Sequence, residues 1–193
     1  MIRISALILV LTTQLTLADT HAADRWEIDK AHTQVLFTVD HLGFTDLTGQ
    51  FRMIDGTLHL DTDDWTQSSV TATIEAASVD MNHDGINRHL RNPDFFDVET
   101  HATLEFRSTS VKQVGENRLE LHGELTMIGK TLPVRLDVTL NKLDMNPGRG
   151  TPRVGFRAEG SLKRSDWGMS YGVPNVGDEI AIVINLEARI PAP

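Results

Sequence analysis

A two-residue hydrophobic rhythm governs this chain. Val35, Phe37, Val39 and His41 fall on one side of a segment whose other side carries Leu36, Thr38 and Asp40. Successive side chains of a strand point to opposite faces, so this spacing predicts a β-strand, Gln34–His41, with one apolar face that ends in an imidazole. The alternation returns in Ser68–Ala77, Ala102–Lys112, Arg118–Ile128, Leu132–Leu143, Arg153–Arg164 and Glu179–Ile190. Leu47–Leu60 carries it with a change of phase near Asp55-Gly56, where a glycine marks a β-bulge. Trp26 to Asp29 reads as a short extended lead-in.

Short connections make these eight predicted strands mostly antiparallel. Their apolar faces can be buried between two stacked sheets or inside one sheet closed on itself. Several segments run to roughly twice the ~5–6 residues of an ordinary strand, which favours the closed form. The expected fold is all-β, an eight-stranded antiparallel barrel. Asn82 to Asp97 interrupts the rhythm: Asn82 or Asp84 caps a short helix with Ile86 and Leu90 at i, i+4, Pro93 stops it, and Phe95-Phe96 follow. This helix, inserted between strands three and four, is either a lid or a cover over one end of the core.

With 40% hydrophobic residues in 193, the chain can form one domain with a core. A net charge of -9 argues against nucleic acid and against anionic lipid headgroups. The partner left open is a hydrophobic or amphiphilic small molecule. There is no cysteine, which excludes disulfides and thiolate chemistry. Residues 1–22 read as a signal peptide: Arg3, an apolar run from Ile4 to Leu17, then Thr20-His21-Ala22. The run is shorter than the ~20 residues of a membrane helix. An exported domain, residues 23–193, without membrane insertion is expected.

Six stretches carry a family resemblance. They are Asp29 to Gly43, Gly49-Gln50-Phe51, His89 to Asp97, Leu104 to Thr109, Gly123 to Gly129 and Arg164 to Met169. Together and in this order they resemble the YceI-like, polyisoprenoid-binding family. Trp167 stands where that pattern usually has Phe, and Thr100-His101 where many members read Tyr-Pro. The resemblance implies a lipocalin-like barrel, periplasmic location, and a lumen able to hold an isoprenoid or other lipid, with monomers or homodimers both open. Stress protection, storage and transport are all compatible with it.

The rhythm assigns a lumen lining of Val35, Phe37, Val39, Phe51, Ile74, Leu104, Phe106, Leu121, Leu125, Leu136, Val138, Phe156, Leu162, Ile182 and Ile184. His41, His89, Phe95, Phe96, Arg164, Trp167 and Met169 are candidates for the mouth and for contact with a headgroup. Ala72, Ala76, Ala102, Gly123, Ala158 and Gly160 leave volume that side chains or a ligand must fill, so a filled barrel serving as an interaction module stays an alternative. A His-dependent enzyme acting through His41 or His89 is a further one. His32, His41 and His89 lack the spacing of a metal site, and no metal or cofactor is expected. Arg164 and Asp166 read as an ion pair or backbone brace. Asp61, Asp63 and Asp64 lack the glycine and distal Glu of a calcium loop and read as a solvated turn. Ser165-Asp166 is not set in a nucleophile elbow, and no catalytic residue is assigned.

Overall fold

The computed structural model describes residues 23–148 and 150–191, and in it the alternating segments close into one antiparallel barrel. The predicted signal peptide lies outside the described residues. The strand segments are β1 (Asp24–Ile28), β2 (Gln34–His41), β3 (Thr45–Phe51), β4 (Ile54–Leu60), β5 (Ser69–Glu75), β6 (Val79–Asp80), β7 (Thr103–Gly115), β8 (Arg118–Met127), β9 (Lys130–Asp144), β10 (Arg153–Lys163) and β11 (Val176–Arg189). The one described α-helix, α1 (Asp84–Arg91), follows β6.

Around the barrel the order is β1-β4-β5-β7-β8-β9-β10-β11, and β11 returns to β1 through Glu27↔Arg189 and Ile28↔Ala188. β2, β3 and β6 continue the first three of these strands: β2 lies on β11, β3 on β2, and β6 on β3. The barrel therefore has the predicted eight staves, three of which are each interrupted once.

Those interruptions lie side by side, and local chemistry makes each of them. Between β1 and β2, Asp29 Oδ1 accepts from Ala31 N at 3.1 Å and folds the chain into a turn. Thr33 Oγ1 then accepts from Glu187 N at 3.2 Å and returns the chain to β11. Between β3 and β4, Met53 N donates to Ser78 Oγ at 3.1 Å, which ties this break to the 3₁₀ turn Ala76–Ser78 separating β5 from β6. The expected bulge at Asp55-Gly56 is thus misplaced. Phe51 and Ile54 are buried on either side of the break at Arg52-Met53, while Met53 is exposed. Gly56 sits in a ladder with no register shift, and its role is close approach: a Cβ there would lie 2.5 Å from Thr71 O. The lead-in, in turn, is a paired strand that closes the barrel.

Trp26, which is 0% exposed, Leu60, Val154 and Ala188 fill one end. Trp65 packs edge-on against Phe156, with ring centroids 6.0 Å apart. In the acidic stretch before Trp65, Asp63 and Asp64 are exposed as in a solvated turn, but Asp61 is buried and its Oδ1 accepts from Asp63 N and Asp64 N at 3.0 and 2.8 Å. This inward-facing carboxylate satisfies the turn that delivers Trp65 to the floor.

α1 covers the other end. Its N-cap is His83, whose Nδ1 accepts from Ile86 N at 3.3 Å, rather than Asn82 or Asp84. Behind the helix an aromatic chain leads inward: Phe96 meets Phe51 edge-on at 5.4 Å, and Phe51 meets Phe37 at 5.6 Å.

Not every small inward residue leaves space. The Phe106 ring lies across Gly123, where a Cβ would come within 2.3 Å of Phe106 Cζ and 2.7 Å of the Arg107 carbonyl. Gly123→Ala is therefore expected to destabilise the barrel by about 1–3 kcal/mol, the usual cost of overpacking. Because the Arg107 carbonyl cannot move aside, adding Phe106→Leu should restore only part of that loss. Urea titration of the single and double variants measures both quantities.

Candidate functional site

Between the floor and α1 the barrel holds a partly open cavity of about 610 Å³. That lies within the ~300–1,000 Å³ typical of small-molecule sites.

All fifteen residues assigned to the lumen from the rhythm contribute to its wall: Val35, Phe37, Val39, Phe51, Ile74, Leu104, Phe106, Leu121, Leu125, Leu136, Val138, Phe156, Leu162, Ile182 and Ile184. The physical point is their burial. Phe37, Val39, Phe106, Leu121, Leu125, Leu162, Ile182 and Ile184 face inward yet are only half-buried, their free surface turned toward the cavity. The lumen is not filled by its own side chains. Strand alternation also missed several wall residues. Leu36 belongs by register to the outer set, Ile28 to the lead-in, and Trp65, Met81 and His83 to turns, where no period marks direction.

Polar groups in the wall concentrate at the α1 end. His41, His83, His89, Arg164 and Tyr171 all border the cavity, as do Phe95, Phe96 and Met169. His89 Nε2 lies 3.1 Å from Asp94 Oδ2, and its ring packs edge-on against Phe95 at 5.0 Å and Tyr171 at 4.9 Å.

Arg164 is 4% exposed. Its Nε, Nη1 and Nη2 donate to the carbonyls of Gly177, Met169 and Val176 at 2.8, 2.7 and 2.9 Å. The guanidinium also stands 5.8 Å from the Phe95 ring centroid. Burial lowers its pKa, an effect the Asp178 charge partly offsets. The brace is therefore to backbone, and the nearby acid is Asp178 rather than Asp166. Asp178 in turn accepts from Ser165 Oγ at 2.8 Å and Ser165 N at 2.9 Å, which lower its pKa. Ser165 is thus engaged by a carboxylate, not by an imidazole.

Trp167 departs from its expected place. It is buried outside the cavity wall, and its Nε1–H donates to Leu125 O at 3.1 Å. The indole pins the 3₁₀ turn Arg164–Trp167 onto β8, a bond that Phe at this position lacks. The turn stands beside a local gap. The β9–β10 ladder stops at Glu159↔Asp137, and a shallow polar hollow bordered by Pro133, Arg135, Gly160 and Asp166 opens there.

His32 lies apart from the mouth, on the outside, with its Nδ1 3.1 Å from Asp29 Oδ2. Asp29, His32 and Glu187 each place one ligand atom within 4.8 Å of the others, the one such group among the described residues. Glu187 is already paired with Arg153 at 2.5 Å, and Asp29 also feels Arg189. These partners satisfy the carboxylates without an ion.

A family model for the YceI-like domain matches residues 26–188. The chain belongs to the YceI-like family. The described barrel contains nearly the whole of that YceI-like domain. Protein YceI of Escherichia coli O157:H7 is 37% identical over 168 residues, 86% of each chain. Among solved structures, Burkholderia cenocepacia BcnA aligns with a TM-score of 0.74 at 25% identity, covering 83% of this chain and 98% of its own. A polyisoprenoid binding domain from Saccharophagus degradans, implicated in plant cell wall breakdown, aligns at TM-score 0.69 and 16% identity, covering 89% and 100%. At that identity it shows the fold they share.

In this YceI-like barrel the lid hangs on one carboxylate. Asp80 accepts from Asn87 Nδ2 at 2.9 Å and from Arg52 Nε at 2.7 Å, while Asn87 Oδ1 accepts from Met81 N at 2.7 Å. Arg91 completes the attachment by donating to Ala77 O and Val79 O at 2.8 and 3.1 Å. Asn87, then Arg52 and the Asn82 amide hold the Asp80 carboxyl down at about 2. A folded pKa below the unfolded value of ~3.9 gives stability that is complete above that value and lost as pH falls through the folded one. Amide protection in α1 should therefore fall between about pH 4 and pH 2. Asp80→Asn should flatten the dependence in that window, as hydrogen-exchange protection factors would report.

Proposed function

We propose that this chain is an exported carrier holding one long apolar or amphiphilic molecule in its lumen. The class is a polyisoprenoid, a quinone-like molecule or a fatty-acyl chain, held for transport, storage or protection under stress. The observation that carries this reading is the partly open, unfilled space bordered by half-buried apolar side chains. Membership of the YceI-like family and the polyisoprenoid binding domain of like fold support it. Export rests on the signal-peptide pattern of residues 1–22 and gives a periplasmic carrier.

The energetics favour slow release and loose selectivity. Each buried methylene contributes ~0.8 kcal/mol. A tail of several isoprene units would gain more than the ~18–21 kcal/mol at which net affinities saturate. Ordering the tail and desolvating its headgroup cancel much of that gain. A headgroup would sit among His41, His89 and Arg164, where the wall turns polar.

Solvent extraction of protein purified from its native host, followed by mass spectrometry, should recover a lipid near one per chain. Repeatedly empty extracts would overturn the proposal. Phe106 borders the cavity while its neighbour Glu105 is exposed outside it. Phe106→Asp should abolish lipid retention by placing a carboxylate in an apolar wall, and Glu105→Ala should leave it intact. Equal sensitivity at both positions would refute the assignment of faces.

One observation favours a second reading, a His-dependent enzyme: His89 borders the cavity with Asp94 against its Nε2. Its other close neighbours are the rings of Phe95 and Tyr171, which offer an imidazole packing rather than a reacting group. His89→Gln should weaken lipid retention only slightly, since burial of the tail supplies most of the affinity. Loss of a turnover with retention intact would establish the enzyme.

A further inference from the structure

Eight large apolar or aromatic side chains are exposed among the described residues, and five of them surround the α1 end: Leu42, Phe44, Ile86, Tyr171 and Val173. They come from three separate projections, the β2–β3 turn, the first turn of α1, and the loop before β11. Ile86 and Tyr171 also border the cavity, so the exposed set is continuous with its wall. Leu42 N donates to Asn175 O at 2.9 Å and joins the turn to the loop. Tyr171 joins the loop to the helix through His89. Leu42 and Gly43 both adopt positive φ, at 62° and 70°, in the tight turn that leads to Phe44, which is 86% exposed. A leucine held in that disfavoured conformation beside a phenyl ring in water gives the fold no packing of its own.

Isolated side chains on three projections do not form a groove for a strand or helix. They suit a soft plane that each can enter separately. The charged residues beside them choose its charge: Asp40, Asp46 and Asp84 are exposed around the same tips and outnumber the one exposed cation on α1 near Ile86, Arg88, and the chain as a whole carries -9. We infer that the mouth docks on a neutral or zwitterionic bilayer, with Leu42 and Phe44 entering the headgroup–acyl boundary. Cargo then passes between bilayer and lumen without its tail crossing water, where it would lose the burial that holds it. The contact is peripheral, and among the described residues no helix is long and apolar enough to span a membrane. This inference rests on the carrier reading for its purpose, while the docking itself can be measured without any cargo.

The test uses flotation with phosphatidylcholine vesicles and the double variant Leu42→Ser, Phe44→Ser, neither residue being part of the cavity wall. The unaltered chain should float with the vesicles, less so when phosphatidylglycerol is added. The variant should partition at least about tenfold more weakly, since it loses the burial of both a leucine and a phenylalanine side chain, with its thermal midpoint unchanged. Equal flotation of both chains, or of neither, overturns the inference. So does a concentration-dependent dimer abolished by the variant in place of flotation, because the patch then meets a second copy. A fluorescent geranylgeraniol added from ethanol tests the carrier reading separately: both chains should bind it equally, and failure of both to bind removes the carrier reading while leaving flotation to decide docking.

Discussion

Everything in this molecule depends on the hydrogen bonds that return β11 to the first stave. Once Glu27 and Ile28 pair with Arg189 and Ala188, and Gln34 to His41 continue along the same strand, the sheet has no free lateral edge around most of its circumference. Alternation then has one consequence: every inward apolar face looks at the same enclosed volume. At eight staves that volume is near the threshold between a filled core and a holding cavity. Small differences in where large side chains lie decide which one results.

Here the large side chains are spent at the ends. Trp26, Trp65 and Phe156 fill the floor, and Phe96, Phe51 and Phe37 pack in series behind α1. Much of the remaining wall is aliphatic, and the far end of the Phe106 ring packs against Gly123. The three side-by-side interruptions serve the lid. The turn at Ala76–Ser78 breaks β5 from β6, and Ala77, Ser78, Val79 and Asp80 around it hold α1 and the Arg52 break in place. The mouth is thus fastened by polar contacts at its edge, whereas the floor is closed by apolar packing.

The staves and their inward faces were legible because a strand's side chains strictly alternate, and a closed sheet leaves only one inside. Val35 to Val39 and Ile180 to Ile190 could be read without any tertiary information. Reading failed where direction is not periodic. The misplacement of the bulge shows why: a change of phase is visible in Phe51, Met53, Leu58 and Leu60, but which peptide absorbs it depends on Ser78 across the sheet. Trp167 was placed at the mouth because it stands in a mouth loop. Its indole turns instead to the Leu125 carbonyl, a partner distant in sequence.

By itself, the sequence determined eight one-sided antiparallel strands, and their length favoured one closed sheet over two stacked ones, with the absence of cysteine leaving packing and strand pairing to hold it. It also determined the motifs by which the chain belongs to the YceI-like family. Only the tertiary structure decided that the interior is hollow, because a void is a property of how rings from different strands pass one another. It alone decided that Arg164 is held largely by hydrogen bonds to carbonyls, and that the exposed tips gather at the open end. Each of these depends on distances across the barrel, which no spacing along the chain encodes.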